Sequence, residues 1–198
     1  MVQVAVRIEG TDYVTNELKI QIKPPRSYDE EDVAQDFFSD EVGRVLAFDG
    51  TRSLDRANNV LRETASRFPA LAVTRHALVA LGKPALEAGK VLTIPARMDR
   101  MNCAADVGGK ITVVKPMPAD ATRDMHAALL ETPEKAAETL GHVDYKSYMD
   151  DLSTGLAEAG EKEAAAKAQD TLHATLSARN VTPRVLAEIA KRRANLSK

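Results

Sequence analysis

The single cysteine, Cys103, is the residue with which this chain could carry nucleophilic chemistry. A cysteine reacts as the thiolate, so it needs positive charge nearby and a general base. Arg97 and Arg100 precede it closely in the sequence, and His76 is a base that the fold could bring beside it. This pattern predicts a cysteine-dependent enzyme as one function. We favour the alternative that Cys103 is a small apolar residue anchoring a loop, because no local motif supplies the paired base.

Metal and phosphate sites have recognisable spacings, and this sequence lacks them. The Gly-Lys pairs at 82–83, 89–90 and 109–110 are not followed by the Ser or Thr of a phosphate-binding loop, so they are interpreted as turns. The four histidines stand far apart, and Cys103 has no second cysteine near it, so no local metal motif forms. We therefore expect neither a metal nor another cofactor.

The C-terminal segment offers a nucleic-acid hypothesis. Residues 174–198 have the outline of a helix, a turn and a basic helix that carries Lys191, Arg192 and Arg193. Phosphate contacts supply most nucleic-acid affinity, and the overall pI is about 6.1, so a local basic face would have to do the binding. A DNA-associated regulator using this helix is the alternative function.

Charge is distributed in blocks, although the net charge is only −2. Residues 1–50 carry 11 acidic and 5 basic residues, and residues 51–115 carry 5 and 11. Residues 116–179 carry 12 and 6, and residues 180–198 carry 1 and 5. Solvated faces that happen to segregate would explain this pattern. Complementary surfaces, within the fold or between neighbouring copies, would also explain it.

Length and composition indicate a folded protein with a core rich in Leu, Val and Ala. The chain has 198 residues, enough to bury most of the surface exposed on unfolding, and aromatic residues make up only 4%. No apolar run is long enough for a membrane span, and the first residues do not resemble a signal peptide. A single cysteine fits a reducing compartment. The expectation is a soluble protein that is cytoplasmic or is assembled in a virion made in the cytoplasm.

Two stretches of alternating apolar residues predict strands. Residues 2–8 and 18–22 predict an antiparallel hairpin whose turn is the polar segment between them. Residues 90–95 and 110–115 predict a central strand-loop-strand, with Gly108-Gly109 allowing a tight entry into its second strand. Together these strands predict one small antiparallel sheet.

Most of the remaining chain has helical patterns. Ser27 and Glu30 form a capping-box pattern before a helix predicted over 28–47, and Ser53 is placed to cap the following helix. The segment LAVTRHALVAL fits a helix better than a buried strand because Gly82 and Pro84 follow it.

After Pro118 the predicted structure is entirely helical. Thr132-Pro133 and Thr182-Pro183 have the composition of helix starts. The fold class is α+β, in which a small antiparallel sheet packs with helices and the C-terminal region is helical. The predicted partition is an α+β core over residues 1–118 and a helical region over 119–198.

The leading interpretation is a non-enzymatic structural subunit of an ordered multi-copy assembly, such as a virion neck, tail or capsid-accessory protein. Alternating charge blocks, a hairpin with an edge open to pairing and a methionine-bearing loop all favour repeated self-association. The expected partners are copies of itself and neighbouring subunits, with nucleic acid as the alternative and no membrane. The predicted contact residues are Arg97, Met98, Arg100, Met101, Lys191, Arg192 and Arg193.

Overall fold

The computed structural model describes residues 5–14, 24–86, 88–93, 110–114, 116 and 119–196. In these residues the fold is α+β, as predicted, with two short antiparallel sheets and a helical C-terminal region. The strands are β1 (Ala5–Ile8), β2 (Thr11–Val14), β3 (Gly89–Thr93) and β4 (Lys110–Val114). The helices are α1 (Tyr28–Phe37), α2 (Asp40–Ala47), α3 (Asp55–Arg67), α4 (Ala72–Gly82), α5 (Ala119–Leu129), α6 (Pro133–Leu140), α7 (His142–Glu158), α8 (Lys162–Ser177) and α9 (Pro183–Leu196), with a 3-10 turn at Lys83–Ala85.

The N-terminal hairpin is tighter than the sequence predicts. Strand β2 lies in the segment that was expected to be the turn, and Ile8 pairs directly with Thr11. Glu9 and Gly10 form a two-residue turn with φ of 49° and 83°. Positive φ at both positions matches the right-handed twist of hairpin strands, which explains why so short a turn closes here. The second predicted strand, over 18–22, lies outside the described residues.

The central strand-loop-strand is confirmed as an antiparallel pair. Gly89 is opposite Val114, and Thr93 is opposite Lys110. Among the described residues this pair forms its own two-stranded sheet, separate from that of β1 and β2, so the four described strands make two sheets and not one. We call the β3–β4 pair the central ribbon.

The helix predicted over 28–47 is two helices. Ser27 caps α1 as predicted, since its Oγ accepts a hydrogen bond from the Glu30 N–H at 3.2 Å. Ser39 interrupts the helix and caps α2 by accepting a bond from the Val42 N–H at 3.5 Å. A serine side chain competes for backbone donors in this way, which favours a new helix start over continuation.

Neither Ser53 nor Thr132 makes a side-chain capping bond at the start of the helix that follows it. The prediction that Ser53 caps α3 is wrong, because Leu54 is the N-cap and no side chain bonds the helix end. Thr132 does occupy the N-cap of α6, with Pro133 in the first turn, but its side chain makes no capping bond. Its hydroxyl instead accepts a hydrogen bond from Arg75 of α4.

The apolar residues form two clusters that meet at α4. One cluster joins α2, α3 and α4 through Val42, Val45 and Leu61. The larger one holds α5 to α9 together and includes Val79 of α4, along with Leu86. The partition at residue 118 stays a prediction. Within the described ranges, no helix combines the length and apolar character needed to cross a membrane.

Candidate functional site

Four of the predicted contact residues lie outside the part of the chain that the structure describes. They are Arg97, Met98, Arg100 and Met101, and Cys103 lies there too. The loop contact and the cysteine-dependent chemistry therefore stay predictions.

The basic residues of α9 contact carboxylates of their own chain. Arg192 lies 3.4 Å from Oδ2 of Asp150, and Arg193 lies 3.1 Å from Oδ1 of Asp170. Lys191 is exposed. These pairs hold α9 against α7 and α8, so part of the positive charge of the predicted basic helix is used within the fold. Contact between this helix and a partner or DNA stays a prediction.

Asp150 is the buried centre of that arrangement. Its side chain is only 8% exposed, and Lys146, which also lies 3.4 Å from Glu188, donates to Oδ2 at 2.8 Å. Gln169 donates to Oδ1 from α8 at 3.0 Å. A buried carboxylate is tolerated only when it is paired and hydrogen-bonded, and here donors from three helices satisfy it. The network therefore ties α7, α8 and α9 together.

A second polar cluster joins α2, the 3-10 turn and α7. Asp49 follows α2 with φ of 54°, and its carboxylate faces Lys83 and Tyr148. Lys83 Nζ lies 2.8 Å from Asp49 Oδ2, and Tyr148 Oη lies 2.7 Å from Oδ1. Lys83 Nζ also lies 3.5 Å from Asp151 and 4.9 Å from the ring centre of Tyr148. A pocket of about 440 Å³ opens beside this cluster.

Asp49 shifts the pKa values of Lys83 and Tyr148, and both of them shift the pKa of Asp49. Burial alone would raise the pKa of Asp49, but hydrogen bonds from Lys83 and Tyr148 outweigh it, so the pKa lies below its usual value. Burial would lower the pKa of Lys83, and its bond to Asp49 raises it instead. Burial, followed by the bond to Asp49, raises the pKa of Tyr148.

These shifts decide what the cluster can do chemically. Asp49 stays ionised, Lys83 stays an ammonium and Tyr148 stays a neutral phenol at neutral pH. A nucleophilic lysine or a general base needs a pKa shifted toward neutrality, and all three shifts run the opposite way. The cluster therefore joins the two apolar clusters through one ionised carboxylate.

The histidines do not supply a metal site in the described ranges. No group of three or more His, Cys, Asp or Glu residues there is arranged to hold a metal ion. His76, the base considered for Cys103, is exposed on α4 and contributes a Coulombic interaction to Asp49.

The central ribbon carries exposed apolar residues. Ile111 is 63% exposed and Val113 is 64% exposed. They alternate along β4 and so lie on one face, which also carries Lys90, the partner of Val113 in the register. We call Lys90, Ile111 and Val113 the ribbon face. The sequence predicted this strand from its β-branched residues, but periodicity alone did not show that Ile111 and Val113 remain exposed.

Helix α1 carries a second exposed surface that the sequence reasoning missed. Tyr28 is 90% exposed and Phe38 is 84% exposed. With Glu31 and Gln35, both exposed, they follow one another at helical spacing along a single side of α1, with Phe38 as its C-cap residue. We call these four residues the α1 outer face. The signal was the spacing of two aromatic residues opposite Val33, which is buried.

Comparisons with known proteins give no identification. The chain matches no protein-family model, no curated protein and no solved structure.

Proposed function

We propose that this protein is a non-enzymatic structural subunit of an ordered multi-copy assembly, built by contacts between copies of the chain. The observation that carries the proposal is the ribbon face, where two adjacent β-branched side chains of a two-stranded sheet are exposed to water.

A two-stranded sheet is marginally stable alone in water and gains stability when a third strand or an apolar surface covers it. Burying a side chain the size of Ile111 or Val113 stabilises a contact by about 1.5–3 kcal/mol. The unpaired edges of such a ribbon also offer backbone donors and acceptors to another chain. A partner that covers the ribbon face would bury these side chains, and one that pairs with an edge would satisfy its backbone groups.

The charge blocks support copies of the same chain as that partner. Helices α1 and α2 carry seven carboxylates and one guanidinium, whereas the ten residues of the central ribbon carry two lysines and no carboxylate. Opposite potentials on one chain steer association between copies and fix its register. We propose assembly in the cytoplasm, with which a single cysteine is compatible.

The test is the mass in solution over a range of concentrations, measured by light scattering and sedimentation. We expect species larger than the 21.5 kDa monomer at tens of micromolar. The variant Ile111→Thr with Val113→Thr keeps β-branched residues in the strand and removes apolar surface, so it is expected to shift the protein toward monomer.

The matched control is Val6→Thr, which makes the same kind of change on the N-terminal hairpin, where Val6 is also exposed. It is expected to leave the mass unchanged. A wild-type protein that stays monomeric at all concentrations would overturn the proposed function.

A further inference from the structure

We propose that the α1 outer face of one copy binds the ribbon face of a second copy, in a head-to-tail contact. This inference rests on the proposed assembly function and names the two surfaces that meet.

The α1 outer face has the composition of a binding surface held on a rigid element. Tyr28 and Phe38 are almost fully exposed. Tyr and Phe are enriched in protein interfaces, and Tyr is among the residues that dominate binding energies. The opposite side of α1 is anchored to the body: Val33 is buried, and Arg67 of α3 contacts Asp29 at 2.9 Å and Asp32 at 3.1 Å. The outer face is therefore fixed in position before a partner arrives.

The chemistry of the two surfaces is complementary. The α1 outer face offers two aromatic rings and the carboxylate of Glu31, and the ribbon face offers two β-branched side chains and the ammonium of Lys90. Ile111 and Val113 can cover aromatic surface while Lys90 reaches a carboxylate or a ring face.

The two surfaces also agree in length. Ten residues of helix span about 15 Å, and five residues of strand span about 17 Å. Since helix α1 has 10 residues and β4 has 5, one strand can run along the whole outer face.

The contact is between different surfaces, so it is not self-complementary. Each copy presents both surfaces, and a contact of this kind produces a closed ring or an open filament. Blocking one surface on a copy leaves its other surface able to bind. Two variants blocked on different surfaces should therefore still bind each other.

The experiment mixes two variants, each blocked on one side. The ribbon-blocked variant carries Ile111→Thr and Val113→Thr, and the α1-blocked variant carries Tyr28→Ala and Glu31→Lys. Each variant alone is expected to self-associate more weakly than the wild type, with a dissociation constant higher by about tenfold or more. Mixed together, they are expected to form a 1:1 dimer and nothing larger, because only one intact surface of each kind remains.

A charge exchange provides a second readout. Lys90→Glu and Glu31→Lys are each expected to weaken association, and the protein carrying both is expected to recover it, since the opposite pair is restored. Phe38→Ala is a further single change on the α1 outer face and is expected to weaken association without altering the helical signal in circular dichroism.

The outcomes separate this inference from the proposed function. If the wild-type protein associates but the α1-blocked variant associates equally well, the assembly proposal stands and the α1 contact is wrong. If the mixture of blocked variants stays monomeric, the head-to-tail pairing is wrong. If the wild-type protein is a strict monomer, both proposals fail.

Discussion

Tyr148 donates a hydrogen bond to Asp49, with Oη 2.7 Å from Oδ1, although the two residues lie 99 positions apart in the chain. Tyr148 belongs to the larger apolar cluster, and Asp49 follows α2 of the smaller one. With Lys83, this bond links the two clusters through one carboxylate, so its removal tests how strongly they are joined.

Tyr148→Phe is expected to lower the free energy of unfolding by about 1–2 kcal/mol, because Asp49 loses one of its two close donors while the aromatic ring stays in place. Chemical denaturation at fixed protein concentration measures this. Tyr28→Phe removes a hydroxyl from an exposed ring and is expected to change stability by less than about 0.5 kcal/mol. Equal effects of the two substitutions would show that the Tyr148–Asp49 bond contributes nothing.

The same carboxylate predicts an acid dependence. The pKa of Asp49 in the fold lies below its usual value of 3.8. The ionised carboxylate therefore stabilises the fold at pH values above 3.8, and this contribution is lost as pH falls through the folded-state pKa. Asn accepts the positive φ found here, so Asp49→Asn removes the charge without straining the backbone.

The stability advantage of the wild type over Asp49→Asn is therefore expected to be full at neutral pH and to shrink below about pH 4. Unfolding curves at several pH values measure it. Glu138→Gln on α6, an exposed carboxylate, is the control, and its difference from the wild type is expected to stay small at neutral pH. A pH-independent difference for Asp49→Asn would contradict the assignment.

The backbone after Asp49 is equally constrained. Gly50 has φ of 107°, and a Cβ atom there would lie 2.0 Å from the carbonyl oxygen of Ala80. Gly50→Ala is therefore expected to cost about 3 kcal/mol or more, because both strain and overlap oppose the fold. Gly160→Ala is the matched control, since its φ is 90° but no heavy atom lies within 4 Å of the added Cβ.

The control is expected to cost about 1–2 kcal/mol from backbone strain alone. Thermal and chemical unfolding of both variants give the comparison. Equal losses at the two positions would mean that the close contact with Ala80 does not hold in solution.

Local patterns in the sequence predicted the helices well and the contacts between them poorly. Thr132-Pro133 and Thr182-Pro183 marked the starts of α6 and α9, because proline fits the first helical turn and few other positions. The break at Ser39 was missed because the apolar spacing continues across it, through Phe37 and Val42.

Long-range partners could not be derived from periodicity. A helical pattern shows which face of α7 is buried, but not that Tyr148 meets Asp49, because that contact depends on how the helices pack. The α1 outer face was missed for a related reason. Phe37 and Phe38 are adjacent, and the pattern assigned one to the core without deciding that the other, at 84% exposure, remains in water.

The buried and exposed ion pairs of α9 are expected to differ in strength. Asp150 is almost fully buried, so Asp150→Ala removes the acceptor of Gln169 and Arg192 and leaves Lys146 with Glu188 alone. Asp150→Ala is expected to lower the free energy of unfolding by about 3–5 kcal/mol.

Asp170 pairs with Arg193 at a surface where both side chains are about half exposed, so Asp170→Ala is expected to cost less than about 1 kcal/mol. Denaturant unfolding in low and high salt distinguishes them, because salt screens the exposed pair and barely affects the buried one. Comparable losses for the two substitutions would contradict the structural role of Asp150 in holding α9 against α7 and α8.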